Sequence, residues 1–353
     1  MTALPAVPPL SLDPPAATFL ARHGCAGEPL VPLTADASTR RYMRLPGCGL
    51  LLMEDREDPV GFAAYLRLSR HLRALGLSAP RVHGADPAHG LALVEDFGGS
   101  TYAACLAAGQ DERQLYELAV DALLHLHHHE RGGSVSQPVF DLATQLDELA
   151  VLSDWFAPAV APDGFDAEAF ARPFRALWAE ALRPVAHRPD TLVLRDFHVD
   201  NLMWLDGRSG VARCGLLDFQ DGVLGPCEYD LVSLLQDARR DLAPGLEAHL
   251  LDRYIAGAPV RIGGAEDIRH RYALLGAQRH ARIAGVFVRL SRRDGKPRYL
   301  AFLPRVLRQL DTALADAGLD EIRAVLSDAL PGWRQRGSAL CTDDDIPKGQ
   351  ARV

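Results

Sequence analysis

The chain has 353 residues, 48% of them hydrophobic and 24% charged, and a formal net charge of −8. That is the composition of a folded enzyme, and it excludes the disordered, fibrous and collagen-like classes. An acidic chain has no general attraction for nucleic acid or an anionic membrane surface. No stretch reaches the roughly 18 uninterrupted apolar residues of a membrane helix. The proline-rich N-terminus also lacks the basic start and apolar core of a secretion signal. Six cysteines stand singly without CxxC spacing, which argues against a zinc or dithiol redox site. A cytoplasmic monomer with reduced thiols is the expectation. The only lysines are Lys296 and Lys348.

Residues 1–15 read as an irregular lead-in. Short apolar runs at 29–34, 41–45 and 50–53, separated by polar turns, predict an antiparallel sheet. Helical spacing of Phe62, Tyr65, Leu66, Leu72 and Leu75 predicts a helix over 59–76, opened by Pro59 and closed by Gly76. Strands at 81–83 and 91–94 end at Glu95-Asp-Phe-Gly-Gly99, read as a hinge. From residue 100 the pattern turns helical, at 111–130, 141–156 and 165–183. Strands return briefly between 191 and 219, and helices resume from 228. This predicts an α+β chain with a small β-rich N-lobe over 16–98, a larger helical C-lobe over 99–332, and a mobile polar tail over 333–353.

The stretch Thr191-Leu-Val-Leu-Arg-Asp-Phe-His-Val-Asp-Asn-Leu-Met-Trp-Leu205 carries the chemistry. An apolar strand delivers Asp196 and, five residues on, Asn201. The strand after Asn201, the turn Asp206-Gly207 and a returning strand Cys214–Leu217 predict a hairpin whose open end sets Asn201 beside Asp218. A carboxylate and an amide carbonyl suit Mg²⁺. A carboxylate at Asp196 can hold an acceptor hydroxyl for phosphoryl transfer. Taken singly, Asp196 and Asn201 are equally good turn caps; it is the ordered set that points to a site. The cluster His125-Leu-His-His-His129 has an i, i+4 pair but no third ligand, and reads as a helix C-terminus rather than a metal site.

Leu-Arg-Asp-Phe-His-Val-Asp-Asn resembles the catalytic loop of the aminoglycoside phosphotransferase and choline kinase superfamily, with Leu194 where a histidine is usual. Leu216-Leu-Asp-Phe-Gln-Asp221 resembles its metal-binding segment, and Gly225-Pro-Cys-Glu-Tyr-Asp-Leu231 the segment that follows. The resemblance covers roughly residues 25–310. These stretches, with Arg-Asp-Gly-Lys-Pro-Arg-Tyr-Leu, are also similar to the bacterial anomeric N-acetylmuramate/N-acetylglucosamine kinases. The resemblance implies a bilobal protein-kinase-like fold, ATP and Mg²⁺ as cofactors, Asp196 as the catalytic base, and Asn201 and Asp218 on the metal. It implies phosphorylation of the 1-hydroxyl of an amino sugar in peptidoglycan recycling. Two other readings stay open: an aminoglycoside or amino-alcohol kinase, and a non-catalytic pseudokinase.

The usual phosphate-binding strand lysine is absent, as is a glycine-rich loop. Arg40, Arg41 or Arg44 is expected to supply the positive charge, with Ser38 and Thr39 contacting phosphate. Glu95 and Phe97 lie at the adenine hinge. His198, Asp221, Glu228 and Arg240 are candidate sugar contacts. Asp230 is expected to cap a helix beginning at Leu231. Arg282 lies on a helix whose face is either solvated or turned to the cleft.

Overall fold

The computed structural model describes residues 13–33 and 40–341. Ser38 and Thr39 lie outside the described residues. The chain divides into two compact units: Met1–Ala122 with Val199–Asp221, and Leu123–His198 with Gly222–Val353.

The first unit opens with α1 (Pro14–Arg22), where an irregular lead-in through residue 15 was expected. The two prolines read as breakers, yet they occupy the first turn, where a missing N–H costs nothing. Asp13 caps that turn by accepting from the Ala16 N–H at 3.0 Å. Five strands follow as one antiparallel sheet, in which the fifth strand in sequence lies between the third and the fourth. They are β1 (Val31–Pro32), β2 (Arg41–Leu45), β3 (Leu50–Glu54), β4 (Val82–Asp86) and β5 (Leu91–Glu95). Helix α2 (Pro59–Ala74) lies between β3 and β4 in the chain, as its apolar spacing predicts. Phe19 and Leu20 of α1 bury themselves with Met43, Leu45, Leu52, Leu91 and Leu93 of the sheet. Short α3 (Tyr102–Ala107) and longer α4 (Glu112–His128) come next.

The second unit begins within α4, at Leu123, and continues with α5 (Leu142–Val151), a π-helical turn at Leu152–Phe156, α6 (Ala157–Val160) and α7 (Ala167–Leu182). Strand β6 (Thr191–Val193) then leads to the hairpin of β7 (Leu202–Trp204) and β8 (Cys214–Leu216). That hairpin groups with the first unit. There the Leu216 N–H donates to the Ser78 carbonyl at 2.7 Å and the Trp204 N–H to Ser100 at 2.8 Å. Strand β9 (Val223–Gly225) returns to pair antiparallel with β6. The remaining helices are α8 (Glu228–Leu235), α9 (Leu246–Gly257), α10 (Ala265–Arg292), α11 (Leu303–Asp316), α12 (Asp320–Ala329) and α13 (Trp333–Ser338).

The tail expected from residue 333 therefore starts as a helix. Trp333 is buried edge-on against Phe156, with centroids 6.5 Å apart. The histidine cluster closes α4, and its members have separate protein partners: His127 is fully buried on the Tyr254 hydroxyl at 2.9 Å, and His128 reaches the Gly257 carbonyl at 2.6 Å.

Helix α10 is the axis of the second unit, buried along most of its length between the π-turn, α5, α8 and α11. Its close approach to the π-turn depends on Gly285. A β-carbon there would lie 2.3 Å from the Val151 carbonyl oxygen, a backbone atom that cannot step aside. Gly285→Ala should therefore destabilise the protein by about 1–3 kcal/mol through overpacking, despite alanine's better helix propensity. A fall in the thermal midpoint checks this, whereas a rise would show that the π-turn yields.

Candidate active site

The predicted hairpin forms, with Leu202 opposite Leu216 and Trp204 opposite Cys214. At its open end the Leu217 N–H donates to the Asn201 carbonyl at 2.9 Å. This brings the Asn201 side-chain amide within 3.5 Å of Asp218 Oδ2. Asp218 is exposed, and its other oxygen accepts from the Gln220 amide at 2.9 Å. Asp221 is exposed beside them. A carboxylate and an amide oxygen on an open edge fit a cation such as Mg²⁺, which takes only one or two protein ligands and keeps water and phosphate for the rest. No group of three or more His, Cys, Asp or Glu residues suited to a metal occurs among the described residues.

Behind the hairpin, Phe219 stacks on Tyr65 with centroids 5.1 Å apart. Arg40 lies 5.6 Å from the Tyr65 centroid and ion-pairs with buried Asp55 at 2.8 Å. Burial pushes the Tyr42 hydroxyl up to about 12, with Arg40 pulling it down and Asp218 adding to the rise. Arg40 and Asp218 thus act on one tyrosine. Arg41 is exposed on β2. Arg44 departs from the expected phosphate role, because its fork is spent on the segment after β5: it reaches Asp96 Oδ1 and the Gly98 carbonyl, both at 3.0 Å. Glu95 is tied by Arg208 and by the Arg81 N–H at 3.1 Å. Phe97 lies 5.0 Å beneath the Arg208 guanidinium. Their side chains brace this segment.

In the second unit the loop after β6 carries Asp196. The chain turns there at Arg195, whose φ of 72° is left-handed. The other non-glycine residue with positive φ among the described residues is Asp218, at 56°. Left-handed non-glycine residues cost about 1–2 kcal/mol each and persist where surrounding contacts enforce them, commonly at functional sites. At Arg195 the enforcing group is Asp230. Its two oxygens accept from the backbone N–H groups of Leu194 at 2.6 Å and Arg195 at 2.8 Å. The Ser233 hydroxyl donates to the Arg195 carbonyl at 3.0 Å, and the Arg195 side chain ion-pairs with Glu148.

Asp196 lies in a strongly positive setting. Burial disfavours its charged form, but His198, Arg279, Arg282 and Arg195 outweigh that and hold its carboxyl below the usual range. It is anionic at neutral pH.

Of the expected sugar contacts, His198 is buried on the same loop, its basicity lowered by burial and by Arg239. Arg240 is half-buried after α8. Glu228 is corrected: it is fully buried, and Arg271 donates to it at 2.6 and 3.0 Å. A carboxylate sealed on a buried arginine braces the core and has no surface for a sugar. Asp230 is also corrected, since α8 starts at Glu228 and Asp230 grips the loop from inside the helix. From sequence Asp230 is indistinguishable from a cap, because aspartate near a helix start ordinarily caps it. The available signal was a charged residue inside the apolar run Tyr229–Leu235.

Residues 29–275 match the phosphotransferase enzyme family. The chain belongs to that family. A protein from Caulobacter vibrioides named N-acetylmuramate/N-acetylglucosamine kinase is 37% identical over 87% of this chain and 94% of its own length. One of the same name from Pseudomonas aeruginosa is 32% identical over 81% of this chain and 84% of its own. The crystal structure of an ADP-bound aminoglycoside phosphotransferase superposes with a TM-score of 0.56 at 17% identity, covering 87% of this chain and 99% of that one. The fold is therefore the kinase-like one of the phosphotransferase family, and membership implies ATP as phosphate donor.

Asp230→Ala should leave two buried N–H groups unsatisfied, at about 1–3 kcal/mol each. Turnover should fall at least a hundredfold, with Asp230→Asn losing less because one acceptor oxygen remains. Unfolding curves and turnover numbers check both.

Stability should also depend on pH in a defined direction. Buried His127 and His280 are held at about 3, each by desolvation first, and His198 is also lowered. Each takes up a proton on unfolding below about pH 6.5, so its contribution is present above that pH and lost as pH falls. Burial raises Asp230 to about 7 and raises Glu228 too, giving the opposite sign: their contribution is present at low pH and lost as pH rises. His127 and His280, both held at about 3, outnumber Asp230, raised to about 7, so stability should fall as pH drops from about 6.5 toward about 4.5. His280→Gln should flatten that slope, as urea midpoints across the range would show.

Proposed function

We propose that this chain is an ATP-dependent kinase that phosphorylates the anomeric 1-hydroxyl of N-acetylmuramic acid and N-acetylglucosamine, serving peptidoglycan recycling in the cytoplasm. The observation that carries the reading is the 37% identity over 87% of the chain to a kinase of that name. The residues support it. Asp196, anionic in its cationic setting, would accept the hydrogen bond of the acceptor hydroxyl and take its proton as the new P–O bond forms and the bond from the γ-phosphorus to the departing ADP oxygen breaks. Asn201 and Asp218 would hold Mg²⁺, which supplies charge neutralisation on the transferred phosphoryl group. Arg40 would stand in for the missing lysine. Its pair with Asp55 parallels the way a phosphate-binding cation is oriented by a carboxylate, and its charge already bears on the tyrosine that senses Asp218.

The positive field at Asp196 separates this reading from an aminoglycoside kinase. Arg195, Arg279 and Arg282 would repel a polycationic acceptor and tolerate a neutral or anionic one. The intact metal pair weighs against a pseudokinase.

A panel of acceptors with ATP and Mg²⁺, scored for ADP release, tests the proposal. Release is expected with the two N-acetylated sugars and not with aminoglycosides. Asp196→Asn should lower turnover by about 10²–10⁴, and Arg40→Met should raise the KM for ATP at least tenfold. Release with aminoglycosides alone, or with no acceptor, would overturn the assignment.

A further inference from the structure

One face of α10 carries Arg282 and Arg289, seven residues apart. That is two turns and about 10 Å along the axis, so the two guanidinium groups share a side of the helix. Arg282 Nε lies 3.3 Å from Glu148 Oε2, and Glu148 Oε1 pairs with Arg195, the chain neighbour of Asp196. Charged contacts thus run from Arg282 through Glu148 to Arg195, and the charges of both arginines bear on Asp196. Arg289 lies further along the same face and is half-buried. Its Nε–H is buried and meets no acceptor among the described residues. The nearby carboxylate of Asp294 is taken by Arg293, through bonds of 2.7 and 3.1 Å. Burial lowers the basicity of Arg289, and the like charges of Arg293 and Arg282 lower it further. Partly desolvated cations that repel one another, with the carboxylate beside Arg282 already shared with Arg195, form a site that an incoming anion would relieve.

The two sugars of the proposed reaction differ by one such anion. N-acetylmuramic acid is N-acetylglucosamine with a lactic acid joined through an ether to its 3-oxygen, so it carries a carboxylate that the other lacks. Resting on the reading above, we propose that Arg282 and Arg289 form the subsite for that lactyl carboxylate, with Arg289 as its principal partner. The planar fork of arginine matches a carboxylate with two parallel hydrogen bonds, and a guanidinium with an unused donor is placed to make them. N-acetylglucosamine would leave the subsite to water, which explains how one pocket serves both sugars.

Steady-state kinetics on both sugars, and on the methyl ester of N-acetylmuramic acid, test this. In Arg289→Gln the ratio of kcat/KM for N-acetylmuramic acid over N-acetylglucosamine should fall at least tenfold, mainly through KM. Arg289→Lys should fall less. The methyl ester should show the same loss with the unaltered protein and no further loss with the variant. Should Arg282→Gln also disturb Glu148 and lower both substrates together, the ester on the unaltered protein still decides. Turnover of both sugars with a ratio moved less than twofold by Arg289→Gln, and an ester as good as the acid, would overturn the subsite while leaving the kinase reading standing. Turnover of neither sugar would overturn both.

Discussion

The grip of one buried carboxylate on two consecutive backbone N–H groups is the constraint on which the loop carrying Asp196 depends. Asp230 is 1% exposed, and both its oxygens are spent on Leu194 and Arg195. Without it the left-handed corner at Arg195 would have no compensation, since a non-glycine residue relaxes out of that region unless held. The corner in turn decides where Asp196 points. Ser233, one turn further along α8, fastens the carbonyl of the same peptide. Helix α8 thus acts as a template that reads backbone rather than side chain. The loop's shape therefore rests on the backbone at Leu194 and Arg195 and not on the Leu194 side chain.

Arginine meets several electrostatic demands in this chain. It fixes the segment after β5 through Arg44 and Arg208, secures buried carboxylates through Arg40 and Arg271, and raises a positive potential around Asp196. A guanidinium stays charged when half-buried, where an ammonium would shed its proton, and it spreads several donors in one plane. Such pairs are specific in geometry even where their net contribution to stability is small. The same property makes an incompletely satisfied arginine informative, because its cost is tolerated only where something is gained.

Much of this was legible in the residues. The five-stranded sheet followed from short apolar runs and their turns, and the Asn201–Asp218 pairing followed from two strands separated by Asp206-Gly207. Both rest on local patterns, in which each segment states its own conformation. What escaped the reading depends on partners distant in the chain. Asp230 reads as a cap until Leu194 is known to lie beside it. Glu228 reads as a pocket residue until Arg271, forty-three positions later, is found against it. Arg44 looks available until Asp96 is seen to hold it. Helix α1 was missed for a different reason: two prolines resemble an interruption from sequence, and only the Asp13 cap shows that they mark a beginning.

The absence of lysine before residue 296 has a practical consequence for chemical biology. Acylating nucleotide reagents label kinases by transferring their acyl group to the amine that normally lies against the phosphates. Here the first unit has no side-chain amine to receive it, so such reagents would pass over this enzyme in a profiled proteome. Inhibitors that seek a covalent bond would have to be built on a warhead selective for guanidinium or phenol groups.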